Sequence, residues 1–265
     1  MKVAVAGMGL IGGSIYKAAV QAGYEVLAIH HDDAIGEIDA DFVFVAMPPK
    51  ATESWIINNA KLFRPDTIVM DVCGVKREIT KVLSDLTEKS WYFIPAHPMA
   101  GRENSGFENS LANLFVGASM IFTPSSRLPK EVLEKAKKLC CDLGFAKVVV
   151  TDAETHDEMI AFTSQLCHVI ASAYSSDDKT GEKSIGFSAG SYADMTRIAT
   201  MDEKVWASLF LSNADKLSQT LGAFIDRISQ YKDAIDRQDK ARLESLIIKG
   251  AELKRRENAL LGKGV

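Results

Sequence analysis

The first half of the chain alternates short apolar runs with longer amphipathic ones. Residues 3–6, 25–29, 42–46, 67–71, 91–95, 119–123 and 147–150 read as strands. Their near-continuous apolar character suits strands covered on both faces, as in a mostly parallel sheet. Helical periodicity separates them at 10–22, 51–63, 76–86 and 129–143, and strand alternating with helix means an α/β layer architecture. After about residue 151 the strand signals stop. Thr151-Asp152-Ala153-Glu154 reads as the start of a helix reaching to about 174, and a polar stretch with Gly181, Gly186 and Gly190 follows. From Asp202 onward, Trp206, Phe210, Asn213, Leu217, Leu221, Phe224 and Ile228 recur every three or four residues, predicting one long helix with an apolar stripe. A further helix runs through Leu243, Leu246, Ile247, Leu253 and Leu260. Two readings of the stripe stand: the core of a helical domain, or a subunit interface.

The junction of the first strand and first helix carries Gly7-Met8-Gly9-Leu10-Ile11-Gly12-Gly13-Ser14. This fits G-x-G-x-x-G in the place its mechanism requires. Gly7 permits a tight turn, Gly9 lets the backbone approach a pyrophosphate, and Gly12 lets helix pack closely on strand. Leu10 and Ile11 open the helix, whose N–H groups and dipole favour phosphate. The expectation is a Rossmann-type dinucleotide-binding domain over 1–151, followed by an all-α domain over 152–265. The acidic residue usual at the end of the second strand is replaced by His30, followed by His31, Asp32 and Asp33. His30 and Asp32 are the candidates there, with Asp32 or Asp33 reaching back from the loop. No Lys or Arg lies between Tyr24 and Pro49, which favours NAD over NADP. The twelve residues from His30 to Asp41 are few for a parallel crossover with a full helix. This second crossover is therefore expected to be shortened and its helix reduced or lost, leaving the adenine side open.

Composition narrows the class without naming a function. The chain has 265 residues, 47% hydrophobic and 25% charged, with a net charge of −4, which excludes fibrous and disordered classes. No basic block points to nucleic acid or a membrane surface. No run approaches the ~18 apolar residues of a membrane helix. The N-terminus enters a buried strand pattern directly, so a signal peptide is not expected and a cytoplasmic location is. Cys73, Cys140, Cys141 and Cys167 form no C-x-x-C pair and no metal-ligand spacing, so no metal is expected and the thiols read as reduced.

Further motifs are more specific. His97-Pro98-Met99-Ala100-Gly101 follows the fifth strand pattern, at the sheet edge where α/β proteins bind ligands. Later come Ser105-Gly106-Phe107, His156-Asp157, Ser164-Gln165-Leu166-Cys167-His168 and Asp194-Met195-Thr196-Arg197-Ile198-Ala199. With the glycine-rich opening and the Asp71–Lys76 segment, these cover most of the chain in order and resemble the prephenate/arogenate dehydrogenase family. The resemblance implies NAD(P)-dependent oxidative decarboxylation of a small molecule in tyrosine biosynthesis. Prephenate would give 4-hydroxyphenylpyruvate, and arogenate would give tyrosine; prephenate is the commoner substrate of the bacterial type. It also implies a homodimer through the helical domain. His97 matches the catalytic histidine, which accepts the hydrogen bond of the substrate hydroxyl. Arg197 matches the substrate-carboxylate arginine, its guanidinium suited to two-pronged binding.

The chain also departs from the family pattern. Gln165 stands where many members carry a first histidine, and Cys167 where they carry proline. Ser164, Gln165 and His168 lie three or four residues apart and can share a helical face; His168 reads equally as a pocket residue or a buried structural one. Gly74 replaces a serine that shares the substrate hydroxyl with the catalytic histidine. A water, or Ser105, Ser164 or Thr163, would take that place. Lys76 reads as lying near the cofactor or, the favoured reading, as opening the next helix; His156-Asp157 matches a family pair and reads as orienting the start of its own helix. Two rival classes remain: a different Rossmann-plus-helical reductase, and a non-catalytic nucleotide sensor. At 265 residues no added mutase or regulatory domain is expected.

Overall fold

A computed structural model of the chain describes residues 1–30, 33, 36–84, 90–102, 104–177, 183, 185–187 and 189–260. Two compact units are present, Met1–Ala214 and Asp215–Val265. The first is organised around seven strands: β1 (Lys2–Ala6), β2 (Glu25–Ile29), β3 (Phe42–Val45), β4 (Ile68–Asp71), β5 (Tyr92–Pro98), β6 (Ser119–Phe122) and β7 (Lys147–Val150). Their order in the sheet is β2-β1-β3-β4-β5-β6-β7. The first five are parallel, β6 runs antiparallel to β5, and β7 runs parallel to β6.

Side chains alternate across this sheet with period two, and each set has its own helical cover. Val3, Val5, Phe42, Phe44, Ile68 and Met70 pack with α1 (Leu10–Gln21) and α4 (Lys130–Asp142). Ala4, Ala6, Val43, Val45 and Val69 pack with α2 (Pro49–Asn59) and α3 (Arg77–Ser84). Cys140 is buried in α4 while its neighbour Cys141 is exposed, and both thiols are free.

The chain leaves β2, passes β1 and adds β3 on its far side. None of the described residues between β2 and β3 is helical. Buried Ile38 and Ala40 help cover the sheet there, with Ile38 bridging to Phe63. A nearly extended segment can cover a neighbouring strand in fewer residues than a helix needs, and this is the shortened crossover.

Two expectations about the helices need correction. From Asp152 the chain is helical to Ser175, but it reads as α5 (Ala153–Ile160), a π segment (Ala161–Gln165) and α6 (Leu166–Ser175). After α7 (Gly190–Thr196) and a 3₁₀ turn (Arg197–Ala199), the expected single helix from Asp202 is two: α8 (Glu203–Ser212) and α9 (Ala214–Asp236). The break is at Asn213, whose side chain is fully buried. Its amide donates to the Asp157 carbonyl and to Gln165 Oε1, and accepts from Arg77 Nη2. Buried amide bonding has displaced a continuous stripe.

In the second unit, α9 is followed by α10 (Lys240–Leu260), with Arg242 donating to Gln230 at 3.1 Å. Ile225, Ile228, Ile235, Ile247, Ile248 and Leu253 are exposed. No described helix is long and apolar enough to cross a membrane.

Candidate active site

The turn between β1 and α1 is shaped for close approach. Gly7 has φ +92°, and a methyl group on it would lie 2.4 Å from the Ala46 carbonyl oxygen. A methyl group on Gly12 would lie 1.9 Å from the Gly7 carbonyl oxygen, whereas one on Gly9 would meet nothing within 4 Å. Gly7 and Gly12 are thus locked against backbone, and Gly9 faces open space. Gly9 caps α1 without a side-chain hydrogen bond, so the first N–H groups, at Leu10 and Ile11, have no intrahelical partner. This arrangement fits a dinucleotide pyrophosphate. At the end of β2 the exposed His30 donates its backbone N–H to Asp33 Oδ2 at 2.7 Å. The carboxylate turned back toward the strand end is that of Asp33; Asp32 lies outside the described residues.

A cavity of about 490 Å³ opens beside this turn, with Leu10 in its wall. Gly74, His97, Ser164, Gln165, His168 and Arg197 all line it. These six residues, up to 123 positions apart in sequence, are brought to one surface by the carboxyl ends of β4 and β5, the π segment, α6 and the turn after α7.

His97 is not after the fifth strand but within it, because β5 continues to Pro98. It pairs with Ile121 of β6, so a backbone ladder, not a loop, holds the ring. Its Nδ1 is 2.9 Å from His156 Nε2, and His156 Nδ1 is 2.7 Å from Asp157 Oδ1. The same carboxylate accepts the backbone N–H groups of Lys76 and Arg77 at 2.8 and 3.0 Å and the Arg77 Nε at 3.3 Å. Asp157 thus caps the start of α3, while Asp152 caps α5 by accepting from Thr155. The expectation that His156 and Asp157 orient their own helix is corrected. Burial tends to raise the Asp157 pKa, but the His156 bond and the Arg77 and Lys76 amides outweigh it and hold it below the usual carboxylate range. Burial first, and then the Lys76 ammonium, hold His97 well below the ordinary histidine value. A neutral imidazole able to accept a proton results.

Beneath His97 lies a buried ion pair. Lys76 precedes α3, as expected, and its ammonium contacts Asp71 with both side chains fully inaccessible. Asp71 also accepts the amides of Cys73 and Ala96 at 2.9 and 3.2 Å. Burial pushes the neighbouring Cys73 thiol up to about 12, so it stays protonated and inert.

At Gly74 there is room for the missing side chain: a methyl group would be 3.4 Å from Leu209 Cδ2 and 4.0 Å from His97 Nε2. Of the hydroxyls named as replacements, Ser105 and Ser164 line the cavity. Thr163 is exposed and donates to the Met159 carbonyl.

Gln165 is buried, with Nε2 donating to the Leu209 carbonyl and Oε1 accepting from Asn213. Its amide ties α8 to the π segment. His168 stacks on Trp206 with ring centroids 3.5 Å apart. Its Nδ1 is 3.0 Å from the Ser164 carbonyl, which can only accept, so Nδ1 carries the proton and Nε2 is bare. Burial first, and Arg197 as well, lower its pKa. Arg197 reaches the cavity from the 3₁₀ turn after α7, and Arg102 lines it from the segment after His97. Arg102 carried no signal in the sequence, while Trp206 read only as part of an apolar stripe and His156-Asp157 only as a motif of the resemblance; contact with the cavity or with His97 reveals their place in the site. Among the described residues no cluster of His, Cys, Asp or Glu could hold a metal ion.

Two family models match the chain: prephenate dehydrogenase, nucleotide-binding domain, at residues 4–150, and prephenate dehydrogenase, dimerization domain, at 152–248. A cyclohexadienyl dehydrogenase of Zymomonas mobilis is 29% identical, over 89% of each chain. A prephenate dehydrogenase of Lactococcus lactis is 26% identical, over 96% of this chain and 76% of the relative. Among solved structures, prephenate dehydrogenase from A. aeolicus with hydroxyphenyl propionate and NAD⁺ superposes with a TM-score of 0.82 at 25% identity. That match covers 97% of this chain and 98% of the other.

Proposed function

This chain belongs to the prephenate dehydrogenase family, and from that premise we propose that it oxidatively decarboxylates prephenate with NAD. The observation that carries the reading is His97. It is a half-buried, neutral imidazole on a strand, lining one cavity with Arg197 and with Leu10 of the dinucleotide turn.

The substrate is a cyclohexadienol with a 4-hydroxyl and a ring carboxylate. His97 Nε2 accepts the hydroxyl proton as C4 gives up its hydride, which creates a carbonyl at C4. The ring carboxylate then leaves as carbon dioxide, its bonding pair making the ring aromatic. The proton held by His97 returns to the phenolate oxygen, so the histidine ends as it began. NAD, when bound, supplies the hydride acceptor; Gly7, Gly9, Leu10, Ile11 and Gly12 are the residues that would cradle its phosphates. The guanidinium of Arg197 grips a carboxylate and holds C4 in register, an effect of positioning rather than of chemistry. Ser164, Gln165 and His168 shape the wall, His168 offering a bare Nε2 and the others a hydroxyl and a fixed amide. The relatives named prephenate dehydrogenase, and the A. aeolicus complex with NAD⁺, support this choice of substrate and cofactor.

The same reading divides the chain near residue 151 and takes the protein as a cytoplasmic homodimer. The dimerization-domain match at 152–248 and the exposed isoleucines of α9 and α10 support the dimer. The test is turnover by purified protein with prephenate or arogenate and NAD⁺ or NADP⁺, followed by reduced-nicotinamide absorbance. Prephenate with NAD⁺ is expected to be the best pair, and His97→Ala to lower kcat by about 10²–10⁴. No turnover in any of the four combinations would overturn the proposal.

A further inference from the structure

We propose that His156 and Asp157 are positioning residues that set the tautomer of His97, leaving its cavity-side nitrogen bare and ready to accept a proton. The inference rests on reading His97 as the base.

The hydrogen bonds determine the protons in sequence. Asp157, already accepting two backbone amides and the Arg77 guanidinium, is held as a carboxylate and can only accept. The proton in its 2.7 Å bond to His156 therefore sits on His156 Nδ1. A neutral imidazole has one N–H, so His156 Nε2 is an acceptor. The 2.9 Å bond between that atom and His97 Nδ1 then requires the proton on His97 Nδ1. His97 Nε2, on the Gly74 side of the cavity, is left with a free lone pair.

The opposite arrangement would make His156 a doubly protonated donor and put the His97 proton on Nε2, where it could not accept from a substrate hydroxyl. Charge decides against it. The buried Lys76 ammonium is matched by Asp71 and the buried Asp157 carboxylate by Arg77; Glu154, 3.7 Å from the same guanidinium, is mostly exposed and screened by water. A cationic His156, with no exposed side-chain surface, would be an extra buried positive charge in a balanced set. When His97 takes the substrate proton, its Nδ1–H already points through His156 toward the Asp157 carboxylate, which stabilises the positive charge as it forms.

The bonding also explains where the pair sits. Asp157 is at once the cap of α3 and the end of the chain of rings, so one carboxylate ties the loop after β4 to the base on β5.

The test is nitrogen-15 NMR of histidine-labelled full-length protein, with His97 assigned by its loss in His97→Asn. In the wild type the Nδ1-protonated tautomer is expected. In Asp157→Asn the amide can donate to His156 Nδ1, which reverses the chain and moves the His97 proton to Nε2. kcat should then fall by about 10²–10⁴ while the dissociation constant for NAD⁺, read by nucleotide fluorescence, changes less than twofold. An amide in place of such a carboxylate has cost about 10⁴ in a serine-protease triad. Because Asp157 also caps α3, His156→Gln and His156→Leu give a second route. The glutamine keeps an acceptor near Nε2 and should retain at least about tenfold more kcat than the leucine. An Nε2-protonated His97 in the wild type, an unchanged tautomer in Asp157→Asn, or equal kcat in the two His156 variants would overturn the proposal. If the tautomer is as expected but neither prephenate nor arogenate is oxidised, the positioning stands and the substrate reading fails.

Discussion

Lys76→Met probes both the stability and the electrostatics of the site. Lys76 and Asp71 have no exposed side-chain area, so removing the ammonium leaves a buried carboxylate held only by the amides of Cys73 and Ala96. Breaking a buried pair from one side costs about 3–5 kcal/mol. For a chain of this size each kcal/mol shifts Tm by about 2–4 °C, so a fall of about 6–20 °C is expected. Lys76→Met with Asp71→Asn removes the stranded charge and should recover about half of that loss. The second readout is the acid limb of kcat against pH. After burial, Lys76 is the next cause of the low His97 pKa. Without it His97 protonates at higher pH, and because the base works only when neutral the acid limb moves upward. Thermal melts at pH 8 and a kcat–pH profile for both variants provide the assay. A Tm change below about 2 °C, or an acid limb that stays in place, would refute the reasoning.

Three further outcomes follow from the same geometry. Gly12→Ala places a methyl group 1.9 Å from the Gly7 carbonyl oxygen; overpacking of this kind costs about 1–3 kcal/mol, and calorimetry should show NAD⁺ binding weakened at least about tenfold. Arg197→Ala should raise KM for prephenate about ten- to hundredfold through loss of a charged hydrogen bond, with Arg197→Lys a poor rescue because lysine cannot bind a carboxylate in two prongs; steady-state kinetics with KM unchanged would remove Arg197 from the substrate. The lowered pKa values of His97 and His168 mean that the unfolded state binds more protons below the ordinary histidine value of 6.5. Their contribution is complete above pH 6.5 and is lost as pH falls toward the depressed folded values, so Tm should decline across that window, and a Tm independent of pH there would contradict the burial argument.

The sequence by itself determined the elements of the nucleotide-binding half and the identities of the chemical groups. The continuous apolar runs of strands such as Val3–Ala6 and the glycines of the first turn are local patterns, and local patterns survive in one dimension. The shortened crossover was legible too, because twelve residues between two strands is a length constraint that no packing can relax. The motifs around His97 and Arg197 singled them out, and the structure brings both to one cavity. What only the tertiary structure decided is how groups distant in sequence meet. Asn213 reads as one more position of an apolar stripe, yet it breaks the helix because Asp157, Gln165 and Arg77 converge on it. His97 reads as the residue after a strand, yet pairing with β6, supplied more than twenty residues later, extends the strand through it. The His97–His156–Asp157 chain spans 60 positions and has no periodicity to announce it. Proton positions depend on which atoms face one another across about 3 Å, and that is set by the packing of α5 against the loop after β4, not by the spacing of residues along the chain.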